Sequence, residues 1–313
     1  MEIIDFEKYQ KIAKDDLVVA IGQFDGFHVA HQVLLDKVLE IGHKNNYLTG
    51  IITFNPHPDY VLKKTNECTY LITIMDKAKI LAHLGFDYMI IVNFNEKVAS
   101  TLPQDFVNDY LLSIHVKEVV VGYDFCFGYK GLGRAGMITS LSNNQIKTTI
   151  IDEIKYQDEK LGTTLIKKLL ASGKVDLVTK VLGRPYCIEG KVVSGRQIGR
   201  TINLPTANIQ FSNSFVQVKT GVYGVIVEHN GHKYLGLANF GNNPSFNYHL
   251  NPVLEVHLLN FSGDLYGEYL KVYFIEYIRD EITFDSKEKF INQIDIDKAK
   301  IINDLSPLLE SRF

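Results

Sequence analysis

Four apolar runs in the first half of the chain read as buried strands: Leu17–Gly22, Leu48–Phe54, Tyr88–Val92 and Glu118–Val121. The segments between them change period. After His28, the residues Val33, Leu34, Val38 and Leu39 fall on one helical face, with Gly42 as the expected stop. Thr73–Leu84 repeats the pattern with Gly85 behind it, and a third helix is expected over Pro103–Leu112, with proline in its first turn. Strands alternating with helices predict right-handed β-α-β units and a parallel sheet covered on both sides. Such a sheet places ligands at the carboxyl ends of its strands.

Past Gly183-Arg-Pro185 the texture changes. Tyr186–Val193, Gly221–Glu228, Lys233–Asn239, Val253–Leu259 and Tyr269–Ile278 read as strands of an antiparallel unit, and the chain turns helical again from Ser286 to Leu309. His229-Asn-Gly-His232 is a strong hairpin signal, because Asn-Gly tolerates the positive φ of a type I′ turn. Ser262-Gly-Asp264 reads as a second tight connection. Clustered short strands with turn signals between them indicate a small barrel. Two domains are therefore expected, 1–182 and 183–313.

Composition changes the picture little. With 46% apolar and 22% charged residues the chain is of the ordinary globular class. A net charge of −3 gives no electrostatic case for nucleic acid. No apolar run approaches a membrane span, and the acidic start Met1–Glu7 lacks the order of a signal peptide. Cys68, Cys126 and Cys187 are odd in number and widely spaced, which argues for free thiols in a reducing cytoplasm. The expected assembly is a monomer or a weak homo-oligomer.

The stretch Gly22-Gln-Phe-Asp-Gly-Phe-His-Val-Ala-His31 carries the first chemical signal. Its two histidines share the first turn of a helix, beside backbone N–H groups that have no helical partner. Polar capping is the bland reading of this pair, and a metal site lacks a third ligand nearby. Histidines in a glycine-rich strand-to-helix turn can instead donate to phosphate oxygens, more strongly as charge builds up in a transition state.

This stretch resembles the G-x-F-D-G-x-H-x-G-H signature of prokaryotic bifunctional riboflavin kinase/FAD synthetases. Further segments are similar, in order: Thr53-Phe-Asn-Pro-His-Pro58, Val121-Gly-Tyr-Asp-Phe-Cys-Phe-Gly128 and Leu161-Gly-Thr-Thr-Leu-Ile-Lys167. In the second half Gly190–Arg200, Pro205-Thr-Ala-Asn208, Gly221-Val-Tyr223, Ala238-Asn239, Leu254-Glu-Val-His257, Leu265-Tyr-Gly267 and Arg279 continue the likeness. The resemblance implies a Rossmann-like nucleotidyltransferase domain followed by a Greek-key-type β-barrel with a C-terminal helix. It also implies phosphorylation of riboflavin by ATP to FMN, then adenylyl transfer from ATP to FMN, giving FAD and pyrophosphate.

By the same resemblance His28 and His31 stabilise charge during adenylyl transfer, and Glu255 is the general base of the kinase. Thr206 and Asn208 hold Mg²⁺; as neutral oxygen donors they suit a hard cation that keeps water and phosphate as its other ligands. Gly22, Phe24, Asp25, Asn55, His57, Asp124, Thr164 and Lys167 are expected to contact nucleotide or flavin in the first half. Gly190, Gly195, Gly199, Arg200, Asn239 and Arg279 are expected to do so in the second. The chain departs from the family pattern at Ala30, Cys126, Gly162, Thr163, Lys167 and Asn203. Cys126 removes a cation, and Lys167 keeps charge without the planar fork of arginine. These changes leave open a kinase whose first half binds nucleotide or flavin but transfers adenylyl groups poorly. Thr206, Asn208 and Glu255 count against a third reading, a flavin-binding regulatory protein.

Overall fold

The structure, a computed structural model, describes residues 1–12, 14–65, 69–194, 204–212, 215–242 and 252–310. It divides into two units, residues 1–163 and 164–313, the second taking in the helices Thr163–Ala171 (from Thr164) and Val175–Leu182. The first unit carries β1 (Glu2–Asp5), β2 (Leu17–Ile21), β3 (Leu48–Asn55), β4 (Tyr88–Asn93) and β5 (Val116–Gly122). A short hairpin follows, β6 (Cys126–Phe127) with β7 (Gly133–Arg134), then β8 (Lys147–Ile151) and a second hairpin, β9 (Lys155–Tyr156) with β10 (Glu159–Lys160).

The main sheet is wholly parallel, in the order β1-β4-β3-β2-β5-β8. β2 is central and buried at every position because both of its faces are covered. Leu17, Val19 and Ile21 pack with Tyr9, Phe106 and Ile138, while Val18 and Ala20 pack with Leu35, Val38 and Leu81. From β2 the chain proceeds to β3 on one side, and later to β5 on the other. A crevice therefore opens where β2 and β5 end, as expected for a sheet whose strand order reverses.

The helix after His28 runs over Val29–Asn45, past the expected stop at Gly42. Asn46, at φ 56°, takes the left-handed capping role, and its N–H bonds back to the carbonyl of Gly42. Gly42 serves packing instead: a Cβ there would lie 2.4 Å from Cγ2 of Thr49 in β3. The Ile74–Leu84 helix ends on Gly85 at φ 88°, as its sequence predicts. The helical stretch from Pro103 widens over Val107–Leu111, tightens over Leu112–Ile114 and ends at His115 with φ 60°.

The second unit is a closed antiparallel barrel, β11 (Tyr186–Val193), β12 (Ala207–Gln210), β13 (Gly221–His229), β14 (His232–Asn242), β15 (Pro252–Leu258) and β16 (Tyr269–Arg279). Around the barrel these run in the order β11-β12-β15-β14-β13-β16. Asn230 and Gly231, at φ 49° and 79°, make the expected turn between β13 and β14. The Ser262–Asp264 connection links β15 and β16, which are not neighbours in the barrel, so it is a crossing loop and not a hairpin turn. The helix Lys287–Leu305 is capped by the Ser286 side chain and lays Ile294, Ile301 and Leu305 on Val222, Ile226, Leu235 and Leu237 of the barrel wall.

Candidate active sites

The loop from Gly22 to His28 leaves the end of β2 through an unusual backbone. Phe24, Gly26 and Phe27 have φ of 48°, 88° and 43°, a region that side chains other than glycine rarely occupy. Three anchors hold it there. The buried Asp25 accepts a hydrogen bond from Leu71 N–H at 2.8 Å, and the carbonyl of Gln23 accepts from Lys77 Nζ at 2.7 Å and Thr53 Oγ1 at 3.3 Å. Phe24 and Phe27 are almost fully buried and stack at 5.8 Å.

His28 caps the Val29–Asn45 helix: its Nδ1 accepts from His31 N–H at 3.3 Å. The capping reading of the pair thus describes His28, and the cap fixes one ring against the other. The rings stack with centroids 3.6 Å apart and planes 17° apart, and Phe24 meets His31 edge-on at 5.2 Å. Nδ1 of His31 is buried, with no hydrogen-bond partner among the described residues. Burial, aided by His28 and Lys77, holds the His31 ring well below the usual imidazole range, so it is neutral at neutral pH. Ala30 shares the first turn without a positive φ, so the backbone makes no demand for glycine there.

These groups face a cavity of about 290 Å³ at the crevice, lined by Gly22, Phe24, His28 and His31 from one side and by Gly122–Phe125, Ile151–Ile154 and Lys160–Thr163 from the other. Lys160, which the sequence does not single out, is the one lysine or arginine in that lining among the described residues. It pairs closely with Asp124 and lies over the Tyr123 ring at 5.2 Å, and its bond to Asp124 raises its pKa. Asn55 ends β3, His57 lies two residues beyond it, and neither is in the lining; His57 Nδ1 accepts from Asp59 N–H at 3.1 Å. Opposite Cys126 in the β6–β7 hairpin stands Arg134, whose Nη1 donates to Cys126 Sγ at 2.8 Å. A guanidinium is thus present in this hairpin although residue 126 lacks one. Thr164 is exposed and Lys167 half-buried, both on the Thr163–Ala171 helix and in the second unit.

In the barrel, strand register assembles the second site. Asn208 of β12 pairs with Glu255 of β15, and Glu255 pairs with Asn239 of β14. Directly opposed residues share a face, so the three side chains form one row. Leu254 and Val256 are fully buried, which puts Glu255 on the other face, as alternation requires. Glu255, Asn239 and Arg279 line a cavity of about 240 Å³ together with Thr206 and His257. Thr206 also borders a second cavity of about 350 Å³, shared with Asn208 and the Phe261–Tyr266 loop.

Several neighbours position these groups. Arg279 bonds to the buried Asp297 at 2.9 Å through Nε and 2.8 Å through Nη2, and Gln293 donates to the other oxygen of Asp297. Asn239 donates to Glu281 at 3.2 Å. Nδ1 of His257 meets the carbonyl of Pro205 at 2.8 Å, next to Thr206, and burial lowers the pKa of this ring. Gly190 lies in mid-strand, where a Cβ would come within 2.5 Å of Ile209 Cγ2 and 2.6 Å of Gln210 O, so its smallness is used for strand packing and it lines neither cavity. Gly195, Gly199, Arg200 and Asn203 lie outside the described residues, as does Cys68.

Residues 10–165 match the FAD synthetase family and residues 182–305 the riboflavin kinase family. A bifunctional riboflavin kinase/FMN adenylyltransferase of Bacillus subtilis is 35% identical over 295 residues, covering 93% of each chain. Its counterpart in Listeria monocytogenes is 34% identical over 282 residues, covering 90% of each. A Streptococcus pneumoniae crystal structure described as a macrolide-efflux protein superposes with a TM-score of 0.89 at 29% identity, over 97% of this chain and 99% of that one. Among the described residues of the present chain, no helix is long and apolar enough to cross a membrane.

Proposed function

We infer the roles of individual residues from the family to which the chain belongs, the bifunctional riboflavin kinases/FMN adenylyltransferases. The enzyme phosphorylates riboflavin with ATP to give FMN, then joins FMN to the adenylyl group of a second ATP, releasing pyrophosphate. We assign adenylyl transfer to residues 1–182 and phosphorylation to 183–313, a division one residue past the start of the second family match at 182.

For phosphorylation, the observation that carries the reading is the row Asn208–Glu255–Asn239. Glu255 accepts the proton of the riboflavin hydroxyl as its oxygen attacks the γ-phosphorus of ATP, and the bond to ADP breaks. Thr206 and Asn208 fit Mg²⁺ through their donor chemistry. They offer neutral oxygens beside an open cavity, and no cluster of three or more His, Cys, Asp or Glu able to cage a metal occurs among the described residues. When bound there, Mg²⁺ would neutralise charge on the ATP phosphates.

For adenylyl transfer, an oxygen of the FMN phosphate attacks the α-phosphorus of ATP and pyrophosphate leaves. No protein nucleophile is needed. His28 and His31 offer ring N–H groups, and the first helical turn adds the N–H groups of Val29 and Ala30. A neutral His31 avoids a buried charge in the free enzyme and gains a proton more readily once phosphate arrives. Gly22 and Phe24 border the same space, and we assign Asp25 to holding the loop. We place the enzyme in the cytoplasm, in keeping with the free thiols of Cys126 and Cys187. The test is product analysis: pure protein with ATP and Mg²⁺ should turn riboflavin into FMN and FAD, and FMN into FAD. Absence of FAD from both reactions would contradict the adenylyl-transfer assignment.

A further inference from the structure

A lysine with almost no solvent contact lies beneath the histidine loop. Lys77, on the Ile74–Leu84 helix, is 3% exposed, and its ammonium donates to the carbonyl of Gln23 at 2.7 Å. Lysine is almost never buried without a purpose that offsets its desolvation. Here the Asp25 carboxylate supports the charge while burial lowers the lysine pKa. The loop it holds is the one with positive φ at Phe24, Gly26 and Phe27, a shape that persists only when its surroundings over-determine it. The positive charge also acts on His31, joining burial and His28 in disfavouring a proton on that ring.

We propose that Lys77 is a positioning residue for adenylyl transfer, its buried ammonium pinning the Gln23 carbonyl and lending positive potential to the floor of the His28–His31 site. The inference rests on the reading of those histidines as the phosphate site. A fixed cation under the loop costs no reorganisation when the negatively charged FMN phosphate and ATP enter. It also adds to burial and His28 in disfavouring a proton on His31. The other titratable groups around the site are His28, stacked on His31, Asp25, which acts on Lys77, and Asp124, Asp152, Glu153 and Lys160 in the cavity lining.

The test compares Lys77→Gln, which retains a donor for the Gln23 carbonyl without the charge, with Lys77→Met, which retains neither, in the full-length chain. FMN adenylylation and riboflavin phosphorylation are measured side by side, and the His31 ring is titrated by NMR, its signal identified with His31→Gln. In Lys77→Gln the His31 midpoint should move to higher pH, because a nearby positive charge has gone. Adenylylation should fall about tenfold in Lys77→Gln and about 10²-fold in Lys77→Met, where the loop also loses its anchor. Riboflavin phosphorylation should stay at the wild-type rate. An unmoved midpoint with wild-type adenylylation in Lys77→Gln would overturn the proposal while leaving the histidine reading intact. If His28→Ala and His31→Ala both make FAD normally, the histidine reading fails and takes this inference with it.

Discussion

His28 and His31 stack face to face, 3.6 Å between ring centroids, because the Nδ1 of one caps the backbone N–H of the other. One helix start thus fixes two imidazoles in the lining of the crevice, and Nδ1 of His31 is buried there without a hydrogen-bond partner among the described residues. Losing a single transition-state donor typically costs about 10²–10³ in rate. His28→Ala and His31→Ala should each lower FAD formation from FMN by that order, with riboflavin phosphorylation largely unchanged. Initial rates on the two substrates check this.

A pH effect on stability follows from the same pair. Folding disfavours a proton on His31, so the unfolded chain takes up that proton first as pH falls, near the ordinary imidazole value of about 6.5. The stability tied to His31 is complete above that pH and is lost as pH falls below it. Thermal unfolding at about pH 7.5 and about pH 5.5 should show a smaller acid-induced loss in His31→Gln than in the wild type.

Gly42 gives a packing prediction. Adding a methyl there places it 2.4 Å from Thr49 Cγ2 and 3.2 Å from the Tyr47 carbonyl. Overpacking outweighs the gain in helix propensity, and Gly42→Ala should destabilise by about 1–3 kcal/mol. Adding Thr49→Ser, which removes the obstructing methyl, should recover part of the loss in urea unfolding.

The C-terminal helix is tied to the kinase site through Arg279 and Asp297, whose side chains are 15% and 2% exposed. Removing one partner of such a pair leaves a charge poorly solvated. Asp297→Ala should cost about 3–5 kcal/mol of stability in the second unit and slow riboflavin phosphorylation, since Arg279 lines that cavity.

Much of this was legible from period and turn chemistry. The all-apolar run at Leu17–Ile21 and the Asn230-Gly231 turn each had a single physical reading, while alternation fixed the face of Glu255 and not its role. What escaped was short or depended on distant partners. β1 and β8 each carry only two apolar residues, too few to stand out as buried runs, and Gly42 reads as a stop until Thr49 is seen against it. Gly190 looked like part of a phosphate loop, but its close neighbours are Ile209 and Gln210 of the adjoining strand. Lys77 and Lys160 are ordinary helix and hairpin lysines in sequence. Only the fold buries one beneath the histidine loop and brings the other to the cavity wall. The departure at Cys126 looked like a lost cation because register alone reveals Arg134 opposite it.

The central claim is that one chain performs two transfers with separate sets of residues. Glu255→Gln tests it most directly, because glutamine keeps shape and hydrogen bonding but cannot take the hydroxyl proton. General-base catalysis contributes about 10²–10⁴ in rate. Paired initial rates of the variant should show riboflavin phosphorylation reduced by that order, while FAD formation from supplied FMN continues at the wild-type rate. Normal phosphorylation would contradict the role of Glu255, and loss of both activities together would contradict the division of labour.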